Sequence, residues 1–272
     1  MDLPEATEKD VVGAPAGRLM ELLRIDIARI FSAADRITIS FSGGLDSALI
    51  ARLSQEFGTF ECIVAGLPGS TDIANAARVA DILAIPLRKV ELTEESMIAN
   101  IQRIIRFSGA KDPVFISFEL PLIAILRESA GRVVMTGQGA DELFGGYSKY
   151  LRLNKSEFSA LQKSDMQKLK ALTIPLENRI ALKMDRRIER PFMCNSIISY
   201  ARSLDADLLM PNRENKRLIR QALVHLGLDD VAGLPKKAAQ YGSGTMKMMK
   251  KIARSKGLSV KGLIEELAGS AR

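Results

Sequence analysis

The sequence predicts an α/β protein in which a parallel β-sheet is sandwiched between helices and followed by a C-terminal helical lobe. Short β-rich runs at 36–41, 60–65, 87–92 and 132–136 alternate with amphipathic stretches, the rhythm of a parallel sheet covered on both faces. The string Ser42-Gly43-Gly44-Leu45-Asp46-Ser47 falls between the first of these runs and an apolar helix opening near Ala48. After Tyr150 the strand signal disappears and helical periodicity takes over.

In chain order, 16–32 reads as an amphipathic helix carrying Leu19, Leu22, Leu23, Ile25, Ile27 and Ile30, with Gly13 to Pro15 as a linker to a loose N-terminus. The four strands and the helices between them come next. The lobe is expected to contain helices at 156–172, 176–184, 195–203, 214–226 and 245–253. The 272 residues therefore divide into a loose 1–15, a nucleotide-binding core over 16–150 and a helical lobe over 151–272, within one domain large enough to bury a sizeable interior.

Composition excludes several classes of function. No apolar run reaches membrane-spanning length, and the acidic, proline-containing start resembles neither a signal nor a transit peptide, so the chain reads as cytoplasmic. The two cysteines, Cys62 and Cys194, offer neither a disulfide framework nor metal-ligand spacing. His225 is the single histidine and reads as a structural residue of an amphipathic helix, which leaves Ser-His and Cys-His mechanisms almost nothing to work with. The net charge of +7 is uneven. Lys236, Lys237, Lys247, Lys250, Lys251, Arg254 and Lys256 occur with no acidic residue among them, as either a solvated helix face or a phosphate- or RNA-facing surface. Few aromatics interleave with them, which argues against a base-stacking platform.

The glycine loop predicts a phosphate cradle. Successive backbone N–H groups at a tight turn and helix start bind anionic oxygens at closer approach than side chains allow, and the glycines keep the way clear. Ser42 and Ser47 add hydroxyl donors. Asp46, which alone would repel phosphate, makes sense as a ligand for Mg²⁺. The Gly-Lys-Ser/Thr ending of a Walker loop is missing, which points to cleavage of ATP at the α-phosphate. The fourth strand runs into Thr136-Gly137-Gln138-Gly139-Ala140-Asp141-Glu142, a second glycine loop. If both strands end on the same sheet edge, Asp141 faces Asp46 across the cleft and the pair can hold Mg²⁺ on the triphosphate.

Ser-Gly-Gly-x-Asp-Ser after a strand resembles the signature of the ATP pyrophosphatases (PP-loop enzymes, with the adenine nucleotide alpha hydrolase-like fold), which adenylate a substrate and release pyrophosphate. With the second loop, most of the chain resembles the synthetase domain of the glutamine-dependent asparagine synthetases and their cousins the β-lactam synthetases. The segment from Ala65 to Ile73 looks like the family's adenosine-bordering stretch. Arg187 to Phe192 is similar to its Arg-x-Pro-Phe stretch, with Arg190 directly before the proline. Leu234 to Gly244 resembles its lysine-bearing loop, in a form closest to the short asparagine-synthetase-like proteins.

The resemblance implies Phe41, Ala65, Thr136 and Gly137 around the adenosine, Ser42, Gly43, Gly44, Asp46 and Ser47 around pyrophosphate, and Asp46 and Asp141 on magnesium. It implies Lys168 as a phosphate-contacting lysine, and Lys236 or Lys237 as the lysine that stabilises the acyl-adenylate. The implied reaction is ATP-dependent amidation of a small amino acid, aspartate by default, by an AMP-forming carbon–nitrogen ligase. There are two departures. Asp2 stands where glutamine-dependent members carry a nucleophilic cysteine, so ammonia is expected from solution, a separate glutaminase subunit or another amine donor. Gln138 stands where asparagine synthetases carry a glutamate, and an amide can orient a nucleophile without taking its proton. Either another base serves, with Glu142 the nearest, or the substrate differs from aspartate, or catalysis is weak. An RNA-modifying ATP pyrophosphatase and a nucleotide-binding regulatory protein without turnover are the alternatives. Nucleic acid and membrane are not expected partners, and both a monomer and a homo-oligomer fit the sequence.

Overall fold

The computed structural model describes residues 8–209, 214–234 and 242–270. The helix α1 (Glu8–Ser32) leads into β1 (Ile37–Ser40), α2 (Leu45–Ser54), β2 (Glu61–Gly66), α3 (Thr71–Leu83), β3 (Leu87–Glu91), α4 (Glu94–Ser108), α5 (Pro113–Glu128) and β4 (Val133–Met135). The four predicted strands all form, each within a residue or two of its expected ends. They pair in parallel, and a short β5 (Arg187–Glu189) extends the sheet to the order β3-β2-β1-β4-β5.

Alternation of side chains explains why this sheet is covered on both faces. Ile37, Ile39, Cys62, Val64, Val133 and Met135 belong to one buried cluster with α1, α2 and α3, whereas Ile63, Ala65 and Val134 belong to a second with α4 and α5. β2 and β4 are accordingly apolar at consecutive positions, Cys62–Ala65 and Val133–Met135. Cys62 is enclosed in the first cluster, and burial pushes its thiol up to about 12, in line with an inert cysteine.

Several boundaries differ from the sequence reading. α1 starts at Glu8 and continues through the expected linker Gly13–Pro15, because an internal proline removes only the bond its own nitrogen would make. The Pro15 carbonyl is held by the Tyr200 hydroxyl at 2.7 Å. In the lobe, α6 (Ala140–Leu143) precedes α7 (Lys155–Lys168) and α8 (Ile174–Lys183), which were expected as two separate helices. They are joined by one π turn, 169–173, in which the Ile174 N–H reaches back to the Leu169 carbonyl. Pro175 supplies the cause, having no N–H for the Ala171 carbonyl one turn earlier, so the helix widens there and then resumes. The strand signal also persists beyond Tyr150, in β5. With only three residues and an arginine and a glutamate at its ends, β5 is legible mainly through its backbone, where Thr136 N–H donates to Glu189 O at 3.0 Å.

α9 (Asn195–Ser203), α10 (Ala206–Leu209) and α11 (Arg217–His225) complete the α1 side, and helices Thr245–Ser255 and Val260–Ser270 pack over α4 and α5. His225 is exposed at the end of α11, its Nδ1 at 2.7 Å from the Gln221 carbonyl. Lys247, Lys250, Lys251, Arg254 and Lys256 all face solvent, the solvated alternative for the basic run. None of the described helices is long and apolar enough to cross a membrane.

Candidate active site

The sheet reverses its winding between β1 and β4, and in open α/β sheets the crevice at the carboxyl ends of such neighbours is where ligands bind. Register fixes what meets there. Thr38 pairs with Val134 and Ile39 with Met135, so both strands end level and both glycine loops leave from the same edge.

The first loop has little freedom in its residue types. Gly43 takes φ +70°, and a β-carbon on it would lie 2.6 Å from the backbone of Asn75 and Ala76 at the start of α3. Gly44 precedes α2 without any side-chain cap, so the first-turn N–H groups of that helix lack the usual side-chain acceptor. Ser42 Oγ accepts from Gly44 N–H at 3.3 Å, and Ser47 Oγ donates to the Gly44 carbonyl at 3.1 Å. The two hydroxyls face each other at 3.4 Å. Donors thus converge at a helix N-terminus beside Asp46. The second loop approaches closely because of Gly137, where a β-carbon would stand 2.7 Å from Asp46 Cβ.

Beside this cradle a cavity of about 160 Å³ is lined by Phe41, Ser42, Ala65, Asp72, Phe118 and Ser243. Its walls are the β1 and β2 ends and α5. Thr136 Oγ1 is buried without a hydrogen-bond partner among the described residues, as is Ser70 Oγ. The residues expected around adenosine and pyrophosphate are therefore gathered at one end of the sheet.

Asp46 and Asp141 are brought together by a residue the sequence reading did not single out. Lys216 Nζ lies 2.7 Å from Asp141 Oδ1 and also contacts Asp46 Oδ2. Its side chain is 4 % exposed, against 20 % for Asp46 and 27 % for Asp141. Burial works to lower the lysine pKa, and Asp46 followed by Asp141 outweighs it, leaving the ammonium above its ordinary range. Helical periodicity places 216 inside the first turn of a helix. Instead Lys216 precedes α11 in the left-handed conformation, φ 56°, which turns it inward.

Gln138 is the second surprise. Its Nε2 donates to Glu177 Oε1 at 2.6 Å, and its Oε1 accepts from Arg190 Nε at 2.5 Å. Arg190 also donates through Nη2 to Glu177 Oε2 and through Nη1 to Asn178 Oδ1 at 2.8 Å. The amide is bracketed by a buried carboxylate and a buried guanidinium, so the residue that replaces the family's glutamate is itself tied to a glutamate on α8. Behind it Glu119 of α5 is fully enclosed. Burial raises its pKa first, the charge of Glu177 and the hydrogen bond to it add to this, and Arg190 opposes. A raised pKa favours the neutral acid at Glu119, whose Oε2 is buried without a hydrogen-bond partner among the described residues.

That protonation has a measurable consequence. A carboxyl whose folded pKa is raised contributes its stability below the ordinary value of 4.5 and loses it as pH rises through the folded value. Glu119→Gln, the shape of the neutral acid, is expected to match the unaltered protein in acid and to exceed it in thermal stability at neutral and alkaline pH. Parallel stability–pH curves for the two proteins would remove the assignment.

The remaining expected residues are scattered. Glu142 is engaged elsewhere than on the cation between Asp46 and Asp141. Its Oε1 accepts from the Tyr147 hydroxyl at 2.7 Å, it lines a second cavity with Phe158, Gln162 and Met166, and burial raises its pKa. Lys168 is exposed in the last turn of α7, whereas Lys216 meets the carboxylate pair. Lys236 and Lys237 lie outside the described residues.

The site is thus an anion cradle at a helix N-terminus, facing a carboxylate pair across the switch point of a parallel sheet. The Asparagine synthase family model matches residues 18–190, well over half of the chain, and the chain belongs to that family. The protein named "Putative asparagine synthetase 1 (glutamine-hydrolyzing)" of Methanocaldococcus jannaschii is 26% identical over 284 residues, covering 90% of this chain and 52% of the relative. Human asparagine synthetase domain-containing protein 1 is 34% identical over 132 residues, 45% of this chain and 20% of its own length. The carboxyethyl-arginine β-lactam-synthase of Streptomyces clavuligerus is 23% identical over 236 residues, 86% of this chain and 45% of its own length. The chain spans about half the length of the first of these relatives and less of the others.

Proposed function

We propose that this chain carries out ATP-dependent amidation of a carboxylate, with an acyl-adenylate as intermediate and AMP and pyrophosphate as products. The observation that carries this reading is the juxtaposition of the β1 loop donors with Asp46 and Asp141 at the level ends of β1 and β4. Adenine occupies the cavity of Phe41 and Ala65. Pyrophosphate is held by the N–H groups of Gly43 and Gly44 and the hydroxyls of Ser42 and Ser47, the Gly44 N–H and the Ser47 hydroxyl giving up their bonds within the loop to do so, and these donors offset the charge developing on the leaving group.

Asp46 and Asp141 fit a magnesium ion, because their oxygens already converge on one cation from adjacent strands. Among the described residues no third His, Cys, Asp or Glu joins them in a metal-binding group. Such a pair leaves most coordination positions to phosphate and water, as Mg²⁺ prefers. When bound, the ion neutralises phosphate charge. Gln138 presents an amide of fixed orientation to the incoming amine, and Lys236 or Lys237 closes over the intermediate.

Aspartate with ammonia is the proposed substrate pair, and a separate glutaminase subunit is a proposed source of that ammonia. The test is to incubate the protein with Mg·ATP, aspartate and ammonium chloride and separate the products. Aspartate-dependent AMP, pyrophosphate and asparagine are expected. ADP and inorganic phosphate in their place would rule the mechanism out.

A further inference from the structure

Lys216 is held more tightly than a solvated or casual ion pair requires. Its side chain is almost fully enclosed, both of its anionic partners come from the loops that end β1 and β4, and its backbone keeps a left-handed conformation unfavourable for a side chain of this kind. Space is reserved for it as well. A β-carbon on Gly146 would lie 2.5 Å from Lys216 Cε and nearer still to Asp141 Oδ1, so only glycine at 146 lets the lysine reach the pair. Two loops and a helix start therefore cooperate to put one ammonium between two carboxylates.

Those carboxylates are the pair proposed to hold magnesium, so any role for Lys216 toward a metal rests on that reading. One ammonium brings one positive charge to two negative ones and a divalent cation brings two, and the two compete for the same pair of carboxylates. We propose that Lys216 is a built-in counter-cation that excludes free divalent metal from Asp46 and Asp141, so that metal enters only together with nucleotide. The lysine keeps the two carboxylates from repelling each other before substrate arrives. It is also tethered, so its local concentration far exceeds that of a metal ion free in solution. Nucleotide shifts the balance, because its phosphates add anionic oxygens that both cations can share. Metal affinity in this protein is then a property of the nucleotide complex.

The probe is Mn²⁺, titrated against the protein while the electron paramagnetic resonance signal of the free ion is followed, with no nucleotide and then with an α,β-methylene ATP analogue. Without nucleotide, Lys216→Met is expected to bind Mn²⁺ at least about tenfold more tightly than the unaltered protein, since one competitor for the carboxylates is gone. The analogue is expected to narrow that gap. Lys216→Gln, which keeps a polar group in the enclosed position, is measured alongside in case the methionine variant does not fold, and circular dichroism reports on both. If folded variants bind Mn²⁺ no more tightly than the unaltered protein in the absence of nucleotide, the proposal is overturned. Asp141→Asn separates this from the underlying reading. Loss of analogue-dependent Mn²⁺ binding in that variant upholds the carboxylate pair whatever Lys216 does, whereas undiminished binding overturns the pair and the lysine proposal together.

Discussion

Asp46→Asn is expected to lower the proposed AMP and pyrophosphate formation on the order of a thousandfold, the size of effect seen when a group that stabilises transition-state charge is removed from a preorganised site. Asparagine keeps the shape of the side chain and removes its charge. One carboxylate, Asp141, then has to serve both the Lys216 ammonium and any metal, and the cradle loses the anion that fixes a cation beside the phosphates. The fold should survive. Asp46 lies in the first turn of α2, partly exposed, where an acidic residue contributes about 0.3–1 kcal/mol through the helix dipole. Separated nucleotides report the turnover, and circular dichroism with thermal melting reports the fold. A folded variant retaining a tenth of the activity would exclude Asp46 from the proposed role.

Arg190→Met is expected to cost about 3–5 kcal/mol of stability, the usual effect of breaking a buried pair and leaving one charge behind. Arg190 serves Gln138, Glu177 and Asn178 through three different nitrogens, with 6 % of its side chain exposed and 3 % of that of Glu177. Its removal leaves the Glu177 carboxylate without a counter-charge, next to the Glu119 carboxyl. Arg190→Lys is expected to recover only part of the loss, because a single ammonium cannot match a planar fork that reaches three partners. Urea denaturation of the three proteins measures both effects, and a methionine variant within about 1 kcal/mol of the original would show that the bonds Arg190 makes to Gln138, Glu177 and Asn178 do not hold the fold.

The framework of the molecule was legible from its sequence for a physical reason. A strand buried on both faces writes consecutive apolar residues into the chain, as Cys62 to Ala65 and Val133 to Met135 do, and a glycine loop between strand and helix has few alternatives. β5 was missed because three residues do not establish a period and two of them are charged. The break expected between 172 and 176 falls at Pro175, which widens the helix without ending it. The site divides in the same way. Residues adjacent in sequence to the glycine loops were found, since local geometry fixes them.

Lys216, Glu177 and Glu119 were not found. Each is a charged residue in or beside an amphipathic stretch, where periodicity assigns such residues to solvent, and only tertiary packing turns them inward. Lys216 is one of 39 lysines and arginines and carries no local mark. A charged side chain that belongs to the interior is visible only when its partner is, and the partners here lie 170 and 75 residues away for the pairs Lys216–Asp46 and Lys216–Asp141.

That separation along the chain sets an order of assembly. During synthesis Asp46 emerges first, Asp141 follows after several more elements, and Lys216 comes only when most of the lobe has been made. A nascent chain that has already paired β1 with β4 exposes two neighbouring carboxylates with no ammonium between them, so the half-made site repels itself where the finished one is neutralised. The residue that balances the pair is thus delivered by a part of the chain made after both strands whose ends carry the carboxylates.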